Sequence, residues 1–271
     1  MDEEIEHSVY KIIKGAGIVF ISIIVGMIFS FSSKVILVRM LTQSEYGTYS
    51  ICVALVNIFT MVSLLGLPTA VTRLIAYYKS KECSKVGKII TFSIVAVILA
   101  STFFTIFLFL ISDILSNIVF HNTELSPMLK IFVFTIPISA AIYIFVSFYR
   151  GFERVKESAY FQNFATPFIF FISLLLLWFL KVPSMYVAYV YVGSFLLTII
   201  FFIIYIKRHP LPIRLRMFDK HVGKEIVLFS LPLLFTAVLG MIMNWMGTLT
   251  IGFFEEPSSV GLYNAAMPLA R

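Results

Sequence analysis

Charged residues are scarce in this chain and acidic ones scarcest: Asp and Glu number 14 among 271 residues, against 21 Lys and Arg. None of the carboxylates stands in the middle of an apolar run. Asp113 and Glu124 fall at or beyond the far end of one run, Glu225 opens another, and Glu255 and Glu256 follow it. Glu45, Glu82, Glu153, Glu157 and Asp219 occupy polar connections or run edges. A general acid–base pair held inside a membrane is therefore not on offer. The histidines, His7, His121, His209 and His221, are scattered without metal-ligand spacing. Cys52, in an apolar run, and Cys83, in a polar one, make neither a ligand set nor a disulfide framework. A membrane glycosyltransferase or polymerase would carry a sizeable charged external loop, and the connections opposite the basic loops are short. The chain is accordingly not expected to be an enzyme, and neither cofactor nor metal is expected.

What is present is apolar. Hydrophobic residues make up 60% of the chain and charged ones 13%, with a mean hydropathy of +0.98. A soluble domain would be about 45–50% apolar and about 25% charged, so the excess must face lipid. Runs of about 20 residues match a ~30 Å hydrocarbon core. Such runs predict spans at 16–38, 48–72, 89–111, 129–149, 159–180, 185–206 and 226–252, with an eighth starting at 257. They are continuous rather than alternating, which selects helices over a β-barrel. The fold class expected is an all-α polytopic transmembrane helix bundle. No signal peptide is read at the N-terminus, because the first apolar run is too long and lacks a cleavage site. Pro68, Pro137, Pro167 and Pro232 lie inside or at the mouth of spans, where kinks border a cavity or improve packing.

Fifteen lysines and arginines lie in the N-terminal lead and in the 2–3, 4–5 and 6–7 connections, while the opposite side has only Arg39, Lys130 and Lys181. This asymmetry places the N-terminus in the cytoplasm of a multi-pass cell-membrane protein. It also accounts for the net charge of +7 without nucleic acid. The basic 6–7 segment can hold anionic headgroups of membrane lipids at the inner leaflet.

A stripe of small and polar residues runs along the first span: Ser22, Gly26, Ser30, Ser33 and Lys34. At helical pitch it covers roughly a third of the circumference. A constant shift of 214 positions returns it as Thr236, Gly240, Asn244, Gly247 and Thr248. In the same register Gly26-Met27-Ile28 matches Gly240-Met241-Ile242, and Ser44, Gly47, Tyr49 and Leu55 match Ser258, Gly261, Tyr263 and Leu269. With six helices per repeat the repeats run parallel, related by an axis along the membrane normal. The expected organisation is a first six-helix lobe at 1–206, a basic cytoplasmic linker at 207–224, and the start of a second lobe at 225–271. The stripe has two readings, close helix packing through small residues or the lining of a hydrated cleft. Tyr143, Tyr149, Tyr186 and Tyr189, near span ends, read as an interfacial aromatic belt.

Several segments carry a resemblance. SLPLLFTAVLGMIMNWMGTLTIGFF followed by VGLYNAAMPLA resembles the seventh and eighth helices of the polysaccharide-biosynthesis flippases, within the multidrug/oligosaccharidyl-lipid/polysaccharide exporter superfamily. VRMLTQSEYGTYS resembles their first external loop, and YRGFERVKESA their loop after the fourth helix. The resemblance implies two six-helix lobes that move lipid-linked sugars by alternating access. A chain ending at Arg271 would then hold one lobe and the start of the next, a truncated form. Gly247 stands where similar sequences often carry an aspartate.

The substrate expected is a polyprenyl-linked saccharide, carried on phosphate or diphosphate, with glycan-assembly enzymes as further partners. Lys34, about 18 residues into its helix and so in the outer half, supplies a cation where one costs roughly 2.5–3.5 kcal/mol unless water or an anion compensates. Its alternative is to snorkel to the surface. Ser30 on the stripe and Arg73 at the inner end of the second span complete the candidate set with Asn244, whose amide binds either substrate or a neighbouring helix. The rival functions are a multidrug or cation antiporter, which would want a buried carboxylate, and a non-transporting scaffold in a glycan-assembly complex.

Overall fold

The computed structural model describes the backbone of residues 2–181, 183, 186–211 and 220–270, and the side chains of these except 2–12, 14, 83, 220, 221 and 268–270. All regular structure among the described residues is helical. The chain forms α1 (Asp2–Met40), α2 (Gln43–Ser63), α3 (Leu67–Tyr78), α4 (Cys83–Ile114), α5 (Leu125–Phe132) and α6 (Thr135–Gly151). It continues through α7 (Val155–Ala159), α8 (Thr166–Phe179), α9 (Val187–Arg208), α10 (Lys220–Phe254) and α11 (Pro257–Ala270). Single π-turns, Leu115–Val119 and Tyr160–Ala165, extend α4 and join α7 to α8. Seven of the resulting stretches are long and apolar enough to cross a membrane: Gly15–Met40, Gln43–Tyr78, Ser84–Val119, Leu125–Gly151, Val155–Phe179, Val187–Arg208 and Val222–Phe254. The chain is an all-α, multi-pass membrane bundle. Part of the linker segment, 212–219, and the side chain of Cys83 lie outside the described residues.

The second and fourth spans form the centre. In each, 61% of the most apolar window is buried, against 6% for the first and 11% for the seventh. Two polar contacts in this centre bridge helices: the Thr60 and Ser139 hydroxyls lie 3.3 Å apart, and Thr72 Oγ1 donates to the Ser147 carbonyl at 3.1 Å. Such bonds hold membrane helices together at about 0.6–2 kcal/mol each. Tyr149, expected at the interface, is instead 1% exposed and packs against Phe202 and Tyr205. Phe132, Phe148 and Phe202 are likewise buried, while Phe235, Phe254 and Met243 present large exposed surfaces. A tyrosine near a span end is interfacial only if that face of its helix meets the bilayer, and α6 is enclosed.

The second span is not the continuous helix the hydropathy suggests. It starts earlier, because Thr42 and Glu45 form a reciprocal cap: the Thr42 N–H donates to Glu45 Oε2 at 2.7 Å and the Glu45 N–H to Thr42 Oγ1 at 3.3 Å. That T-x-x-E pattern closes the α1–α2 turn. The span then breaks between α2 and α3, where Leu65 and Gly66 both have left-handed φ, +52° and +70°. Gly66 is also where α10 seats. A β-carbon there would collide with the Ser230 carbonyl and lie 2.7 Å from Leu234 N. Around this seat Lys85 pairs with Glu225 at 3.0 Å, Tyr78 Oη donates to Glu225 Oε1 at 3.0 Å, and Arg73 stands 5.1 Å from the centre of the Phe229 ring.

At the other end of the bundle α11 crosses α2. A β-carbon on Gly47 would run into the Pro257 carbonyl, and one on Gly261 into the Gln43 carbonyl. The contact is reciprocal, since 43 and 257, like 47 and 261, are 214 positions apart. Backbone meets backbone, with no flexible side chain to give way.

The backbone crossing at Gly47 and the ion pair beside the α10 seat are expected to differ in strength. Gly47→Ala is expected to destabilise by at least the ~1–3 kcal/mol typical of overpacking, read as a lowered unfolding temperature of the purified protein in detergent. Glu225→Gln removes a partly exposed ion pair and should cost under about 1 kcal/mol. A Glu225→Gln loss as large as that of Gly47→Ala would reverse this ranking.

Candidate functional site

Between the α2–α11 crossing and the α10 seat lies a cavity of about 530 Å³, within the ~300–1,000 Å³ range of small-molecule sites. Five elements wall it: α1, α2, α8, α10 and α11. Of the sequence candidates, Ser30, Lys34 and Asn244 all line it. Arg73 does not; it is exposed on α3, at the α10 seat. The structure thus brings three of the four together and sets the fourth apart.

The stripe on α1 is divided in its use. Its first part packs: a β-carbon on Gly26 would collide with the Asn163 carbonyl of the π-turn, and Asn163 Nδ2 donates to Ser22 Oγ at 3.4 Å. Its last part, Ser30, Ser33 and Lys34, lines the cavity. One half of the stripe packs against a neighbouring helix and the other faces the cavity. The related stripe on α10 differs in its first part, where Gly240 faces open space and does not pack, while Asn244 and Thr248 line the cavity.

Among the described residues that line the cavity, Lys34 is the charged one and the rest are neutral. The position related to it by the 214-residue shift is Thr248, whose hydroxyl donates to Asn264 Oδ1 at 3.0 Å. The cation therefore has no twin on the opposite wall, although other lining positions recur in pairs. Ser30 pairs with Asn244, Tyr49 with Tyr263, Ser50 with Asn264 and Val53 with Met267. Asn57, Trp245 and Asn264 were not singled out from sequence, whereas Tyr263 was already matched to Tyr49 by the 214-residue shift. Carrying that shift one residue on would have found Asn264, because it maps Ser50 onto it.

Gly247 has a local explanation. A β-carbon there would strike the hydroxyl and ring of Tyr263. The volume that an aspartate would need is filled by a neutral phenol from α11.

A smaller cavity of about 180 Å³ lies between the α2–α3 break, α6, the second π-turn and α10. Arg150, which sequence assigns to a basic loop, ends α6 there and bridges to the π-turn, with its Nη2 donating to Gln162 Oε1 and its Nε to Ser158 Oγ at 2.9 Å.

Comparison with known proteins gives one result at family level: the model of the family described as "Polysaccharide biosynthesis protein" matches residues 12–271. No curated protein and no solved structure matches the chain. With nearly the whole length covered, from the first span through α11, this chain belongs to the polysaccharide biosynthesis protein family.

Proposed function

We propose that this protein is a flippase, moving the anionic head of a polyprenyl-linked saccharide across the cell membrane for surface glycan assembly. The observation that carries the reading is the cavity's charge pattern: among its described lining residues there is one cation, Lys34, and no carboxylate. A phosphate or diphosphate head must shed water to enter the bilayer, and an unpaired buried charge is prohibitively costly. A lysine ammonium on the wall offers charge-assisted hydrogen bonds to phosphate oxygens, Ser30 adds a neutral one, and Asn244 on the opposite wall meets the rest of the head. The lipid tail stays in the bilayer throughout. An antiporter for cations would need the opposite charge at this place.

The basic loops at the α3–α4 end favour a cytoplasmic N-terminus, so the cavity sits toward the outer leaflet and the α10 seat closes the cytoplasmic side. Arg73, at that seat, would meet the head on its way in. Residues 1–206 act as one lobe, 207–224 as its linker and 225–271 as the start of a second. The reciprocal contact of Gly47 and Gly261 supports a two-fold relation between them, about which alternating access would rock.

Removing the ammonium should cost the ~1.5–3 kcal/mol of a hydrogen bond to a charged group, or about ten- to a hundredfold in transport. Lys34→Ala is thus expected to lower translocation of a fluorescent diphosphate-linked sugar in proteoliposomes by that factor, with Lys34→Arg retaining most of it and membrane insertion unchanged. Equal rates for Lys34→Ala and the wild type would eliminate the assignment.

A further inference from the structure

The wall facing Lys34 is made of a different chemistry. Asn244, Trp245 and Thr248 share one face of α10, and Tyr263 and Asn264 extend it on α11. None is charged. Both amides of this wall are back-bonded within their own helices. Asn244 Nδ2 donates to the Gly240 carbonyl of its own helix at 2.9 Å, and Asn264 Nδ2 to its own Val260 carbonyl at 3.0 Å. Across the cavity Asn57 Nδ2 does the same with Val53 at 2.8 Å. Each primary amide has two N–H donors and an acceptor oxygen, so a back-bond uses one donor and fixes the orientation of the rest. Asn264 Oδ1 also accepts from Thr248, which ties the amide across α10 and α11.

Amides held in place beside an indole and a phenol make a surface for polyhydroxylated rings. The hydroxyls of a pyranose pair with amide donors and acceptors, and its C–H face lies on an aromatic face, while the ring oxygen and carbons need no charge partner. Such a surface has nothing to neutralise a carboxylate, and Lys34 is already assigned to phosphate.

We propose that the α10–α11 wall is a sugar subsite, which seats the first sugar of the carrier against Trp245 with Asn244 and Asn264 as hydrogen-bonding partners, and which selects a neutral or N-acetylated pyranose over a uronate. The inference rests on the reading of Lys34 as the phosphate partner and adds to it the class of the adjoining sugar. The cavity's size suits a phosphorylated head with its first sugar rather than a long glycan, so recognition falls on the residue nearest the lipid.

The test uses the full chain in lipid nanodiscs and equilibrium binding of three radiolabelled probes: farnesyl diphosphate alone, farnesyl diphosphate carrying N-acetylglucosamine, and the same carrying glucuronate. The N-acetylglucosamine probe should bind about tenfold tighter than the bare diphosphate, the increment of an aromatic contact with one or two hydrogen bonds. The glucuronate probe should gain nothing. Trp245→Ala should bring the ratio of sugar-bearing to bare probe to about one. Asn244→Ala should lower that ratio too, and because the bond Asn244 makes among the described residues stays within its own helix it reads the subsite even where the tryptophan variant misfolds. Equal binding of the N-acetylglucosamine and bare probes by the wild type, or a ratio untouched by both variants, overturns the subsite and leaves the phosphate role of Lys34 standing. Failure of bare farnesyl diphosphate to bind in a Lys34-dependent way overturns the phosphate role and the subsite with it.

Discussion

Everything about the cavity depends on how closely α11 can approach α2. At Gly47 and Gly261 the two backbones touch, and the carbonyls of Pro257 and Gln43 occupy the space where side chains would begin. Helices in lipid gain little from hydrophobic association, since the surrounding tails are as apolar as they are, and close packing of small residues takes its place. The crossing holds one end of the α10–α11 unit against the first six spans. The seat of α10 on Gly66 holds the other. Between two such backbone contacts the intervening helices diverge, and the gap is the cavity.

That geometry explains how the wall residues are allocated. Facing sides of α1 and α10 are tight where they meet neighbours and polar where they part. Gly26 meets the π-turn and needs to be glycine, whereas Ser30 and Lys34, one and two turns on, reach open volume. The π-turn at Tyr160–Ala165 belongs to the same arrangement, because its Asn163 carbonyl is the group that Gly26 accommodates. π-turns within helices are often found near functional sites.

The charge asymmetry of the walls follows from small differences between related positions. Lys34 and Thr248 occupy equivalent places in the 214-residue register, and the second is buried, its hydroxyl committed to Asn264. Tyr263 covers Gly247, which keeps the α10 wall neutral. One wall thus carries a cation, and the other carries amides and aromatic rings. Positions related by the 214-residue shift present different chemistry on the two walls.

The chain's apolar runs determined the class of fold and the approximate limits of every span, because crossing a bilayer demands length and hydropathy, and both are local properties. The T-x-x-E start of α2, the glycines and the shift of 214 positions were equally readable, since they too are written along the chain. What local pattern did not carry was direction. Ser22, Ser30 and Arg73 looked alike as polar residues on amphipathic positions, yet one packs, one lines the cavity and one stands at the far seat. Tyr149 had the sequence position of an interface anchor and became core because α6 is surrounded. Trp245, Tyr263 and Asn264 became neighbours of Lys34 only when α11 crossed α2, a contact between residues about two hundred positions apart that no local preference encodes.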